Sequence, residues 1–124
     1  MSTDRAFVTY LLELLAPFDG VTAKRMFGGY GLRREGINFA IVADDVLYLK
    51  TDTLTQTQFE TYSLKPFEYQ SKGRAVRLSY WQVPEECLES PAAMRVWCEL
   101  AWTAALRTAQ HPKNQRRRSA RMKS

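Results

Sequence analysis

Histidine and cysteine are scarce in this chain of 124 residues: His111 is the single histidine, and cysteine occurs only at positions 87 and 98. Without a second candidate base, a Ser-His or Cys-His nucleophilic pair in a folded core is excluded. Two separated cysteines and one histidine also match no zinc-ligand spacing. We therefore predict a protein that is not an enzyme and that holds no metal or cofactor.

Long apolar runs are also missing. No stretch approaches the roughly 18 apolar residues that a membrane-spanning helix needs, and the first residues carry no basic-then-apolar leader. We expect a cytoplasmic protein without membrane contact. In that reducing compartment the two cysteines are expected to be free thiols.

Positive charge is spread unevenly along the chain. Of 18 basic and 13 acidic residues, six basic and no acidic ones lie in 111–124, so residues 1–110 carry 12 basic against 13 acidic. The six cations are Lys113, Arg116, Arg117, Arg118, Arg121 and Lys123. A basic run without apolar residues is typically disordered and often contacts nucleic acid. The alternative is a solubilising terminus without a partner.

Strand-like segments fill residues 24–50. Ile37, Phe39 and Ile41 alternate with smaller or polar residues, the period of two that a strand requires. Three turn signals separate the segments: Gly28-Gly29, Glu35-Gly36 and Asp44-Asp45. The glycines lead into a strand rather than a helix, so a phosphate-binding loop is excluded. The pattern predicts an antiparallel meander, with the paired carboxylates in a solvated turn.

Helices and a second hairpin flank this meander. The first predicted helix covers 3–16 and is capped by Ser2 or Thr3, and the second covers 53–62 and is capped by Asp52. A hairpin of 67–70 with 75–81 and a single helical turn over 85–89 follow. Ser90-Pro91 then begins a long last helix. The fold class is α+β, a two-layer sandwich whose largely antiparallel sheet is covered by helices, in the order α-β(3–4)-α-β(2)-α. Residues 1–109 form the domain, and 110–124 form a basic, disordered tail.

The apolar face of the last helix covers more than half its circumference, which is wider than one sheet contact requires. Its members are Met94, Trp97, Cys98, Leu100, Ala101, Trp102, Ala104 and Ala105. Either the helix is wedged between the sheet and the first helix, or part of it meets a second copy in a homodimer. Burial within the chain is the favoured interpretation. Arg95 and Glu99 are spaced to form an i,i+4 pair on the polar side.

A basic cluster surrounds the first turn. With Gly28-Gly29 as a two-residue loop, Phe27 faces Tyr30 and Lys24 faces Arg33, although like charges directly opposite are mildly unfavourable. The predicted partner-binding residues are Lys24, Arg25, Phe27, Tyr30, Arg33 and Arg34. The alternative is a solvated sheet edge whose cations discourage aggregation.

Five segments carry a resemblance to a known family: 25–32 ("RMFGGYGL"), 39–42, 46–50, 66–69 and 80–84. Over residues 5–106 the chain resembles the N-terminal domain of the TfoX/Sxy family of competence regulators. The resemblance implies a bacterial cytoplasmic protein with a two-layer α+β fold. It also implies a role in transcriptional regulation of DNA uptake, beside a cyclic-AMP receptor protein, and brings no catalytic residues. Full-length members continue into a helical domain where this chain has its basic tail, so we expect a stand-alone N-terminal domain.

Two functional hypotheses follow. The first is a non-enzymatic regulator that binds a protein partner of the transcription machinery, with the tail residues 113–123 assisting nucleic-acid contact. The second is a general nucleic-acid-binding protein whose active part is the tail alone.

Overall fold

The computed structural model describes residues 4–16, 18–26 and 28–110. Its elements are α1 (Arg5–Leu14), β1 (Val21–Met26), β2 (Gly29–Arg34), β3 (Ile37–Ala43), β4 (Val46–Lys50), α2 (Gln56–Thr61), β5 (Pro66–Ser71), β6 (Arg74–Gln82), a 3₁₀ turn (Glu85–Leu88) and α3 (Pro91–Gln110). The strands form one antiparallel sheet in the order β1-β2-β3-β4-β6-β5. The α+β prediction is confirmed.

Three hairpins reverse through two consecutive residues with positive φ, the geometry that matches the twist of the flanking strands. The pairs are Glu35-Gly36, Asp44-Asp45 and Lys72-Gly73. Asp44 and Asp45 are exposed, as predicted for a solvated turn. Tight turns of this kind set the neighbouring strands antiparallel.

A bulge in β3 decides which side chains enter the core. Leu32 pairs with Ala40 but Arg33 pairs with Asn38, so Phe39 has no opposite residue. Phe39 and Ala40 both join the core under the helices, because a bulge interrupts the alternation of side chains. Ile41 then lies on the opposite face, where it pairs with Tyr48.

The core lies between this sheet and the helices. Val8, Leu11 and Leu14 of α1 are buried. On α3 the buried residues are Met94, Trp97, Cys98, Ala101, Ala104 and Ala105. Burial within the chain is therefore confirmed for six of the eight residues of the wide apolar face, and the other two, Leu100 and Trp102, are partly buried against the core. Ser90 caps α3 as predicted, its Oγ accepting from the Ala93 N–H at 3.1 Å. Of the helices described, none has the length and apolar character needed to cross a bilayer.

Two predicted helix starts are wrong. The described helix α1 begins at Arg5, and the Asp4 carboxylate caps it by accepting from the Ala6 N–H at 2.9 Å; Ser2 and Thr3 lie outside the described residues. The second helix is shorter than predicted, Gln56–Thr61. The Asp52 carboxylate accepts from the N–H groups of Leu54 and Thr55, both at 3.1 Å. It thus caps a preceding turn, which is consistent with the low helix propensity of this threonine-rich stretch.

Asp52 also ties this turn to the last helix. Its Oδ2 and Oδ1 accept from Nε and Nη2 of Arg107 at 2.5 Å and 3.0 Å. The side chains are only 19% and 33% exposed, whereas the predicted Arg95–Glu99 pair, also present at 3.0 Å, is 58% and 56% exposed. The hydrogen bond from Arg107 is the main cause that lowers the pKa of Asp52.

Gly29→Ala is expected to destabilise the fold by about 2–3 kcal/mol. A Cβ at position 29 would collide with the carbonyl oxygen of Val42 on β3, and a backbone atom cannot move aside as a side chain can. Gly73→Ala is the control, because Gly73 has a φ of +78° but open space around it. Its expected cost is about 1 kcal/mol. Urea unfolding measures both, and a Gly29→Ala loss no larger than the control would contradict the steric account.

Asp52→Asn is expected to lower the free energy of unfolding by about 1–2 kcal/mol at neutral pH, because the bidentate pair with Arg107 loses its charge. Glu99→Gln, which removes the exposed pair, should cost about 0.5 kcal/mol or less. Since the folded pKa of Asp52 is lowered, its contribution is present above the unfolded pKa of about 4. The difference between wild type and Asp52→Asn should therefore vanish as the pH falls through the folded pKa. A difference that persists at low pH would contradict the assignment.

Candidate partner-binding surface

The β1–β2 hairpin, residues 21–34, is the most positive part of the described structure. It carries Lys24, Arg25, Arg33 and Arg34 and no acidic residue. The rest of residues 1–110 holds 8 basic against 13 acidic residues. The hairpin is therefore a local basic surface, with charge +4, on a body that is otherwise −5.

The predicted register of this hairpin is wrong by two residues on the second strand. Met26 pairs with Gly29, so Gly29 is a residue of the second strand and Gly28-Gly29 is not the two-residue loop. Gly28 supplies the positive φ of 76° that the turn needs. Gly29 instead belongs to β2, where the close approach of the Val42 carbonyl leaves no room for a side chain.

The observed register removes the like-charge contact that the predicted one contained. Lys24 lies opposite Gly31, and Arg33 lies opposite Thr22. The two cations are diagonal neighbours on one face, at a separation where repulsion is weaker than in a directly opposed pair.

The six predicted contact residues do not form one patch. Successive residues of a strand point to opposite faces, so Lys24 and Arg33 lie on the face away from the helices. Arg25 and Tyr30 lie directly opposite each other on the helix side, with the Arg25 guanidinium 6.0 Å from the Tyr30 ring centroid. Phe27 lies outside the described residues.

Arg34 takes a structural position that was not predicted. Its guanidinium carbon lies 4.3 Å from the ring centroid of Phe18 and 5.2 Å from that of Trp102. Both rings also pack against Phe39, at 5.4 Å and 6.1 Å. Arg34 is thus half-buried against an aromatic cluster built from three separate segments of the chain, and such a cluster leaves no local pattern in the sequence.

Lys24 and Arg25 lie on an exposed sheet edge, whereas Arg33 belongs to β2, which pairs on both sides. β1 pairs with β2 alone among the described strands, and its residues 22–25 are exposed. An edge strand presents a row of backbone N–H and C=O groups to which another extended chain can bind. Lys24 and Arg25, pointing to opposite faces, place positive charge on both sides of this row.

Outside the β1–β2 hairpin we considered the groups that could act as nucleophiles or metal ligands in the described residues. Cys87 and Cys98 are free, as predicted, and both are buried. Burial raises the pKa of Cys87 to about 12, with a smaller contribution from Glu86, and burial also raises the pKa of Cys98. Within residues 4–16, 18–26 and 28–110, no three His, Cys, Asp or Glu side chains are grouped as metal ligands would be. The six predicted nucleic-acid-binding cations, which belong to 111–124, lie outside the described residues.

Comparison with protein families matches residues 13–105 to the TfoX N-terminal domain. The match spans most of the described fold: all six strands, α2 and the greater part of α3. No curated protein matches the chain. Since the family match covers well over half of the 124 residues, the chain belongs to the TfoX N-terminal domain family, a family of competence-related regulatory domains.

Proposed function

We propose that this protein is a non-enzymatic regulator of transcription, of the competence type, which works in the cytoplasm of a bacterium by binding a protein partner. The observation that carries the proposal is the concentration of four cations and no acid on the β1–β2 hairpin, at an exposed edge of the sheet. The basic residues of 111–124 add contact with nucleic acid.

The charge and geometry of this edge favour one class of partner segment, an extended acidic peptide of the partner protein. Such a segment, paired with the free side of β1, would form backbone hydrogen bonds along residues 22–25. Its alternating side chains would then meet Lys24 on one face and Arg25 on the other. Opposite charge across the contact would steer the encounter and reject basic competitors.

The state of the reactive groups supports a role without catalysis. The two thiols are buried and their pKa values are raised, so little thiolate is available as a nucleophile at neutral pH. Asp52 is ion-paired with Arg107, and its pKa is lowered. A carboxylate in that state is a poor general acid or base near neutrality.

A second candidate function is general nucleic-acid binding through the basic segment alone. Six cations without an acid in 111–124 favour it. In that case the folded domain would contribute no specificity, and affinity would come from neutralised phosphates.

Reversing the edge charges tests the proposed surface. Lys24→Glu with Arg25→Glu should weaken binding of a short peptide of alternating glutamate and valine about tenfold, since each exposed charge contributes about 0.7 kcal/mol. Amide chemical-shift changes should be confined to β1 and β2. In the native host, the same variant should lose its effect on transcript levels.

Lys72→Glu with Arg74→Glu is the matched control, because it makes the same charge change on exposed residues of the β5–β6 hairpin. It should retain peptide binding and transcript levels. The proposed surface is wrong if both variants behave alike, or if a lysine–valine peptide binds as well as the acidic one.

A salt series tests the contribution of the basic segment. Fluorescence anisotropy with duplex DNA should give a log–log salt slope of up to about 5 for the full chain, because each neutralised phosphate contributes about 0.9. Replacing the six cations of 113–123 by glutamine should abolish binding. If that variant also loses all control of transcript levels while the edge variant keeps it, the second candidate function holds instead.

A further inference from the structure

The face of the sheet opposite the core carries no covering helix among the described elements. Leu32, Val42 and Leu49 point to the other face, where they join the core under the helices. Their neighbours along each strand point away from the helices, because successive residues of a strand alternate between faces. We call this side the open face and define it by two rows of side chains that cross the strands. The first row is Arg33, Asn38, Lys50 and Tyr80, and the second is Lys24, Ile41, Tyr48 and Gln82.

The strand register places the members of the first row side by side. Arg33 pairs with Asn38, and Lys50 pairs with Tyr80. The Asn38 amide donates to the Tyr80 hydroxyl at 2.9 Å and so connects the two pairs. The Lys50 ammonium lies 5.1 Å from the centroid of the Tyr80 ring, so these side chains meet on one surface.

The second row runs beside the first. Tyr48 pairs with both Ile41 and Gln82, and Gly31 pairs with both Lys24 and Ile41. The rows cross β1, β2, β3, β4 and β6, which are consecutive in the sheet. At a spacing of about 4.8 Å between strands, they extend over roughly 19 Å.

The open face is positive across its width. Lys24, Arg33 and Lys50 lie on β1, β2 and β4, and the five strands of the rows contain no acidic residue. Asp52, whose charge acts on Lys50, is itself paired with Arg107. Two copies of this face would place like charges against each other, which disfavours self-association. Charge complementarity favours a polyanion.

Two tyrosines provide aromatic surface between these cations. Tyr48 and Tyr80 are both partly exposed. The Tyr48 ring packs on Phe67 at a centroid distance of 4.9 Å. Burial raises the pKa of both hydroxyls, with a smaller contribution from Asp44 at Tyr48 and a smaller opposing effect of Asn38 at Tyr80. The rings are therefore uncharged at neutral pH and do not repel phosphate.

We infer that the open face binds single-stranded nucleic acid, with phosphates paired with Lys24, Arg33 and Lys50 and unpaired bases packed on Tyr48 and Tyr80. Aromatic rings among cations suit such a strand, because every base offers a flat apolar face and every nucleotide a phosphate. A face roughly 19 Å wide has room for the two or three bases that a sheet of this kind holds. An acidic protein segment would neutralise the cations but would leave the tyrosines without a stacking partner.

The open face shares Lys24 with the edge proposed to bind a protein, but its residues on β3, β4 and β6 are its own. The two proposals can therefore fail separately, and Lys24 is left unchanged in the tests that follow.

The first test uses the full chain with the six cations of 113–123 replaced by glutamine, which removes the other candidate nucleic-acid contact. Fluorescein-labelled oligomers of about ten thymidines or ten uridines should bind saturably. Duplex DNA of the same length should bind at least about tenfold more weakly, because its base faces are hidden. The inference is overturned if neither oligomer binds, if the duplex binds equally, or if polyglutamate displaces the oligomer at the same concentration of charge.

Amide chemical shifts locate the bound strand without any substitution on the face. Saturable changes should be concentrated at residues 31–33, 38–41, 48–50 and 80–82. Changes confined to the helices, or spread evenly over the chain, would contradict the assignment.

Removing two cations of the face tests the phosphate contacts. Arg33→Gln with Lys50→Gln should lower the log–log salt slope by about 1.4, because each neutralised phosphate of a single strand contributes about 0.7. Arg5→Gln with Arg95→Gln is the matched control, since both arginines are exposed on helices α1 and α3. Equal slopes in the two double variants would overturn the site.

Tyr48→Leu tests the base contact. It keeps an apolar side chain against Phe67 but removes the ring, so affinity for the oligomer should fall at least about fivefold. Tyr62→Leu is the control, because Tyr62 is 53% exposed on the helical side and meets Trp97 edge-on at 5.1 Å. Equal affinity in these two variants, with both folded by their melting temperatures, would show that no base packs on Tyr48 and would overturn the inference.

Discussion

The close contact between Gly29 and the carbonyl of Val42 is the constraint on which the basic surface depends. Only glycine fits at this contact, and Gly29 therefore lies within β2 rather than in the predicted loop. Every pair of the hairpin follows from that placement, including Arg25 with Tyr30 and Lys24 with Gly31. One steric contact therefore decides which residues lie opposite the cations of the edge strand, whereas a shift of two residues leaves each cation on the same face of the sheet.

The bulge at Phe39 has an equally direct consequence. It turns Phe39 into the core, where that ring meets Phe18 and Trp102. The same two rings hold the Arg34 guanidinium. Arg34, which its charge alone would assign to a contact surface, therefore packs against the core. The exposed positive charge is left concentrated on β1.

Local patterns predicted the elements well, because alternation, turn pairs and the Ser90 cap act over a few residues. They could not predict the register, since Gly28 and Gly29 are both acceptable turn residues until the Val42 backbone is placed beside them. The bulge at Phe39 could not be predicted either, because Ile37, Phe39 and Ile41 alternate in the sequence as they would in a strand without a bulge. A cavity of about 500 Å³ at the end of β4 could not be predicted for a similar reason, because its lining comes from β4, the following turn, α2, β6 and α3, which only the folded chain brings together.

The cations of this fold are either exposed or partly buried, and salt screens the two groups to different extents. Lys24 and Arg25 are exposed, so salt screens their interactions over a Debye length of about 8 Å at physiological ionic strength. Lys50 is partly buried beside Tyr80, where screening is much weaker because fewer ions and water molecules surround the charge. Rising salt should therefore weaken the electrostatic interactions of Lys24 and Arg25 more than those of Lys50. The fold thus places its most strongly screened charges on the edge strand and shields the charge of Lys50 beside Tyr80.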